Sequence, residues 1–113
     1  MEKLKPITWL HSEIKTPPFS ASARIEAGRL LRSIQQGKKL DMPDSRQMPS
    51  VGKHCHELRI EDENKIWRII YRIDADFIVI ANVFCKKTQK TPIEVIKVCK
   101  LRLRTYDKLF LEK

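Results

Sequence analysis

The spacing of apolar residues changes from segment to segment along this chain, and each change predicts an element. Lys5 to Leu10 (KPITWL) reads as a short strand, broken by Thr16-Pro17-Pro18. From Ser20 to Gln36 the period becomes helical, with Ala23, Ala27, Leu30, Leu31 and Ile34 on one face. Ser20 or Ser22 suits the N-cap, and Gly37 suits the end. Lys38 to Lys53 has two prolines, a glycine and little periodicity, and reads as a surface loop. The period then falls to two. His56 to Ile60 sets Leu58 and Ile60 against Glu57 and Arg59. Glu61 to Asn64 turns the chain, with the acidic tip read as solvated. Ile66 to Ile73 sets Trp67, Ile69, Tyr71 and Ile73 against Ile66, Arg68, Ile70 and Arg72. After the Asp74-Ala75-Asp76 turn, Phe77 to Cys85 is almost continuously apolar, as in a central strand. A last helix is expected from Pro92 to about Leu111, its core side lined by Ile96, Cys99, Leu103, Tyr106 and Phe110.

Short turns between the three later strands predict an antiparallel meander. The expected fold class is α+β, a small, mostly antiparallel sheet with helices packed on one face, forming a single domain over 1–113. In that arrangement Trp67 and Tyr71 point to the helices. Arg68 and Arg72 point to an open face, joined by Arg59 if the hairpin register puts it opposite.

Charge then narrows the choice of partner. The 113 residues carry a formal net charge of +9, and residues 86–113 alone hold nine basic and three acidic side chains. A localised basic surface favours a polyanion, either nucleic acid or an acidic protein face. Cys55, Cys85 and Cys99 form no close pair, which favours a reducing compartment, and Cys85 and Cys99 fall in apolar patterns as core residues. No secretory leader pattern and no spanning apolar run appear, so a soluble cytoplasmic protein is expected.

Candidate chemistry concentrates where the central strand runs into Lys86-Lys87-Thr88-Gln89-Lys90-Thr91-Pro92-Ile93-Glu94. Thr91 as N-cap, Pro92 at the first helical position and Glu94 in the first turn make a stiff corner. Lys86, Lys87, Gln89 and Lys90 on that corner suit phosphate binding, while the plainer reading is a solvated lysine-rich turn. Arginines fixed on a sheet grip a phosphodiester bidentately and stabilise developing charge, although solubility alone also places arginines on strands. His54-Cys55-His56 lacks the further ligands a zinc site needs, and an acid–base role for either imidazole is the alternative. No metal or cofactor is expected.

Three segments in order, Glu57-Leu58-Arg59, Trp67-Arg68-Ile69-Ile70-Tyr71 and Phe84 to Pro92, followed by a basic helix with Tyr106, resemble the phage-derived branch of the RelE/HigB toxin superfamily. The resemblance implies a compact sheet with helices and a toxin of a type II toxin–antitoxin pair. It implies an mRNA endoribonuclease (mRNA interferase), in many relatives acting on the ribosome. There the ribose 2′-hydroxyl attacks the adjacent phosphate without a metal. Carried over by position, the catalytic residues are Arg59, Arg68, Lys86 and Lys87, and the RNA-binding residues are Arg72, Gln89, Lys90 and Arg104. The implied partners are a helix-turn-helix antitoxin, mRNA, and operator DNA only through the antitoxin, with no membrane. A C-terminal histidine used by some relatives is missing here, which leaves the acid–base part to Lys86 or Lys87. The competing function is a non-catalytic module of the same fold that binds RNA or antitoxin.

Overall fold

The computed structural model describes residues 4–10, 19–86 and 90–111. They form strands β1 (Ile7–Trp9), β2 (Ser45–Gln47), β3 (Cys55–Asp62), β4 (Lys65–Ile73) and β5 (Ile78–Lys86), with helices α1 (Ala21–Gln35) and α2 (Ile93–Leu111). The strands make one sheet in the order β1-β5-β4-β3-β2, antiparallel except that β1 runs parallel to β5. The expected α+β class and the β3-β4-β5 meander are both found.

The alternation in β4 decides the layers. Trp67, Ile69 and Tyr71 pack with Leu58 and Ile60 of β3 and with Ala23, Ala27, Leu30, Leu31 and Ile34 of α1. On the opposite face Ile70, Val79 and Ala81 pack with Cys99 and Leu103 of α2. The two helices therefore cover opposite faces, not one shared face. The near-continuous apolar run of β5 is the physical reason, because a strand apolar on both sides must be covered on both. Burial pushes the Cys55 thiol up to about 11 and the Cys99 thiol up to about 12, as suits core thiols. Cys85, expected in the core, is exposed near the end of β5.

β5 carries a bulge. Ile70 pairs with Asn82 but Tyr71 pairs with Ile80, so Ala81 is the extra residue. Its carbonyl accepts from the Arg102 guanidinium of α2 at 2.8 Å. Beyond the bulge the facing is inverted, and Phe84 stands opposite Arg68 while Lys86 pairs with Ile66. Simple alternation along β5 would put Lys86 and Phe84 on the Ile80 side, and misses this. α2 is pinned further along by Arg72, which donates to Asp107 at 2.7 and 3.1 Å and to Asp74 at 2.7 and 2.9 Å.

Two local readings change. The stretch read as a loop contains β2, which adds an antiparallel edge by pairing Arg46 with Glu57, and it buries Met48 and Val51. The hairpin tip read as solvated holds a buried carboxylate. Asp62 accepts from the Ser20 backbone N–H at 2.9 Å and from the Trp67 indole N–H at 3.0 Å. Ser20 is in turn the N-cap of α1, its hydroxyl accepting from the Ala23 N–H. Gly37, at φ 88°, lets the chain leave the far end of the helix.

Hydrogen bonding from Ser20, and then from the Trp67 indole, holds the Asp62 carboxyl below its usual value of 3.8. A depressed carboxylate contributes stability that is complete above the unfolded value and is lost as pH falls through the folded one. Melting curves followed from neutral pH to about pH 2 should show that acid limb. Asp62→Asn should lower the neutral-pH melting temperature and flatten the limb. An unchanged limb in the variant would assign it to other carboxylates.

Candidate functional site

On the α2 side of the sheet, beyond the N-terminal end of that helix, basic residues from three strands converge. Arg46 of β2 pairs across the ladder with Glu57 of β3. One step along, Arg59 of β3 stands opposite Arg68 of β4, and Arg68 opposite Phe84 of β5. The hairpin register thus joins Arg59 to Arg68, the condition on which the sequence reading had left it.

The cluster is organised around one acid. Glu57 is fully buried. Its Oε1 accepts from Arg68 at 3.1 Å and from Arg46 Nε at 3.1 Å, and its Oε2 accepts from the Thr91 hydroxyl at 2.8 Å. Arg46 also donates to the Thr91 hydroxyl at 3.2 Å. Thr91, expected as a helix cap, gives its hydroxyl to β3, while the first bond of α2 runs from the Ile96 N–H to the carbonyl of Pro92, which was expected inside the helix. Arg68 was expected to face solvent but is 2% exposed, because α2 covers the face that the sequence reading left open. Burial lowers the Arg68 pKa from its ordinary value and the Glu57 charge opposes that shift, while Arg59 and Arg46 add to it. Arginine stays protonated throughout such shifts. Arg68 Nε is buried without a hydrogen-bond partner.

Arg59 differs from its neighbours. It is partly exposed, and among the described residues it makes no ion pair. Two arginines already share one carboxylate beside it, so the local field is positive. The N-terminal end of α2 adds to that potential.

The other residues singled out from sequence are distributed less tightly. Lys86 ends β5, two ladder pairs from Phe84. Lys90 is exposed at the approach to α2, and Lys87 and Gln89 lie outside the described residues. Arg72 is four residues along β4 from Arg68, roughly 13 Å at strand rise. Its guanidinium is occupied by Asp74 and Asp107, which raise its pKa. Arg104 lies on the exposed side of α2, over a shallow depression of about 430 Å³ with Lys100 and Lys108. The structure therefore gathers Arg59, Arg68 and the end of β5, but not Arg72 and Arg104.

Sequence reading missed Arg46 and the inward turn of Glu57. Arg46 lay in a stretch without periodicity, and Glu57 alternated with apolar residues as a solvent-facing acid does. His54 sits at φ 64°, outside the strand, while His56 stacks on Tyr71 at 5.3 Å between ring centroids. Among the described residues no group of three or more His, Cys, Asp or Glu side chains is arranged to hold a metal ion. Nor, among them, is any helix long and apolar enough to cross a membrane.

Residues 17–104 match the family described as phage derived protein Gp49-like. The chain belongs to that family, which is of the RelE-like toxin type. No curated protein and no solved structure matches it.

Proposed function

We propose that this protein is the toxin of a type II toxin–antitoxin pair and cleaves messenger RNA at the arginine cluster, on the ribosome or free of it. The observation that carries the reading is Arg59, a partly exposed guanidinium without an ion-pair partner among the described residues, set beside Arg68 in the ladder. Arg59 binds the scissile phosphate and stabilises the charge that builds on it. Arg68, fixed by Glu57, acts through its positive field. The ribose 2′-oxygen attacks phosphorus, its proton passing to a base, and the P–O5′ bond breaks as the leaving oxygen takes up a proton. The products are a 2′,3′-cyclic phosphate and a free 5′-hydroxyl. Lys86 or Lys87 takes the acid–base part, and Gln89, Lys90 and Arg104 contribute to holding the strand. A helix-turn-helix antitoxin covers the basic face and carries the pair to operator DNA.

Induced expression should arrest growth, and primer extension should map new 5′ ends in messenger RNA. Normal growth with intact, soluble protein and no new ends would remove the reading. In vitro, Arg59→Ala should abolish cleavage while changing stability by less than about 1 kcal/mol, as expected away from the core. EDTA should leave the rate unchanged.

One observation favours a non-catalytic binding module instead. Arg68 and Arg72 both spend their guanidiniums on carboxylates within the fold. Such a module would bind RNA or antitoxin and yield no new 5′ ends.

A further inference from the structure

A cavity among the described residues lies under the segment that precedes β3 and meets the arginine cluster at Arg46. It is a cleft of about 840 Å³, lined by Leu40, Ser45, Arg46, His56, Tyr71 and Ile73 among others, with Lys38, Lys39 and Lys53 also on its walls. That volume is within the roughly 300–1,000 Å³ typical of small-ligand sites. Asp41 is the one acid among its lining residues. The charge of the walls is therefore complementary to an anion.

The floor has aromatic character. The His56 imidazole stacks on the Tyr71 ring at 5.3 Å and 18°, and the Tyr71 hydroxyl is held by Ser45 at 2.7 Å. His56 is partly exposed, whereas Tyr71 is 2% exposed and belongs to the core. The stack thus presents a ring backed by a rigid neighbour. Burial, and then His54, lower the His56 pKa, which favours the uncharged ring.

The cleft is also connected to the cluster. Arg46 lines it while donating to Glu57 at the cluster. His56 lies three residues from Arg59, about 10 Å along the strand and on the other side of the sheet. β2, only three residues long, is the edge between them.

We propose that this cleft seats a nucleotide flanking the cleaved phosphate, its base stacked on His56 and its phosphate met by the lysines of the wall, the strand passing over the β2 edge at Arg46. The assignment rests on the ribonuclease reading for its substrate. An aromatic platform inside a cationic groove is the general chemistry by which single strands are held without base readout.

The test uses the full chain and a short single-stranded RNA, 2′-O-methylated throughout so that it lacks the attacking hydroxyl, with one 2-aminopurine base. Wild-type protein should bind it and quench the fluorescent base. His56→Ala should relieve the quenching and weaken binding roughly five- to hundred-fold, the range for losing one stacked base. His56→Phe should restore both. Lys38→Ala with Lys39→Ala, exposed changes that leave the core intact, should lower the salt slope by about 1.4, two single-strand phosphate contacts. Wild-type affinity, quenching and salt slope in both the His56→Ala and the double-lysine variants would overturn the proposal, as would failure of wild-type protein to bind the RNA. If unmodified RNA is cut while these variants bind normally, the cleft assignment alone fails. If the variants lose binding as expected but unmodified RNA is never cut, the ribonuclease reading fails and the cleft stands as a single-strand site.

Discussion

Arg68→Ala should abolish cleavage and also destabilise the domain, by several kcal/mol. Removing one member of a buried ion pair commonly costs about 3–5 kcal/mol, because the remaining charge is left without its partner in a dry environment. Here the loss should lie toward the lower end, since Glu57 keeps Arg46 and Thr91. Replacing both members separates the two effects. Glu57→Leu with Arg68→Met removes both charges and keeps bulk, and such swaps of buried pairs are often neutral in stability. The double variant leaves no buried charge unpaired and should melt above Arg68→Ala, the loss of the Arg46 and Thr91 bonds to Glu57 remaining, yet cut no RNA. If Arg68→Ala melts with wild type, the guanidinium is not buried in solution as it is here.

Trp67→Ala should be as damaging from the other side of the same strand. The indole is 8% exposed, meets Phe19 edge-on at 5.0 Å and donates to Asp62. Truncating a buried aromatic costs about 3–5 kcal/mol. The lost N–H also leaves Asp62 with one fewer donor, which should loosen the start of α1. Chemical denaturation of the two single variants, read by far-UV circular dichroism, checks both expectations. A Trp67→Ala midpoint within error of wild type would mean that the α1 layer contributes little to the core.

Much of this fold could be read from the chain because the period changes are clean. α1 shows five apolar positions at helical spacing, β3 alternates, and β4 sets a wholly apolar row against a row that holds both arginines. β2 could not be read, since three residues between prolines and a glycine carry no period, and its place is fixed by the ladder to β3. The facing of Arg68 was misread for a different reason. In an alternating strand a charged row looks solvent-exposed unless something is known to cover it. The information was present in β5, whose apolar residues fill both faces, but it had to be combined with the α2 stripe at Cys99 and Leu103. The bulge at Ala81 left no signal in composition, and it shifts which residues of β5 stand beside the arginines. Of the site, Arg59, Arg68 and the strand end were legible. The carboxylate that organises them was not, because burial of a charge depends on partners 11 and 34 residues away in sequence.

The bond from Thr91 to Glu57 has a consequence for the chain as it is made. The carboxylate at the centre of the cluster takes its partners from β2, β4 and the approach to α2, and α2 roofs the same face. No fragment ending before Thr91 can complete the carboxylate's set of partners, however much of the sheet has formed. On the ribonuclease reading, the chain on its own ribosome should stay inert until the segment through Thr91 has emerged. A truncation before Thr91 is expected to be silent rather than partly active.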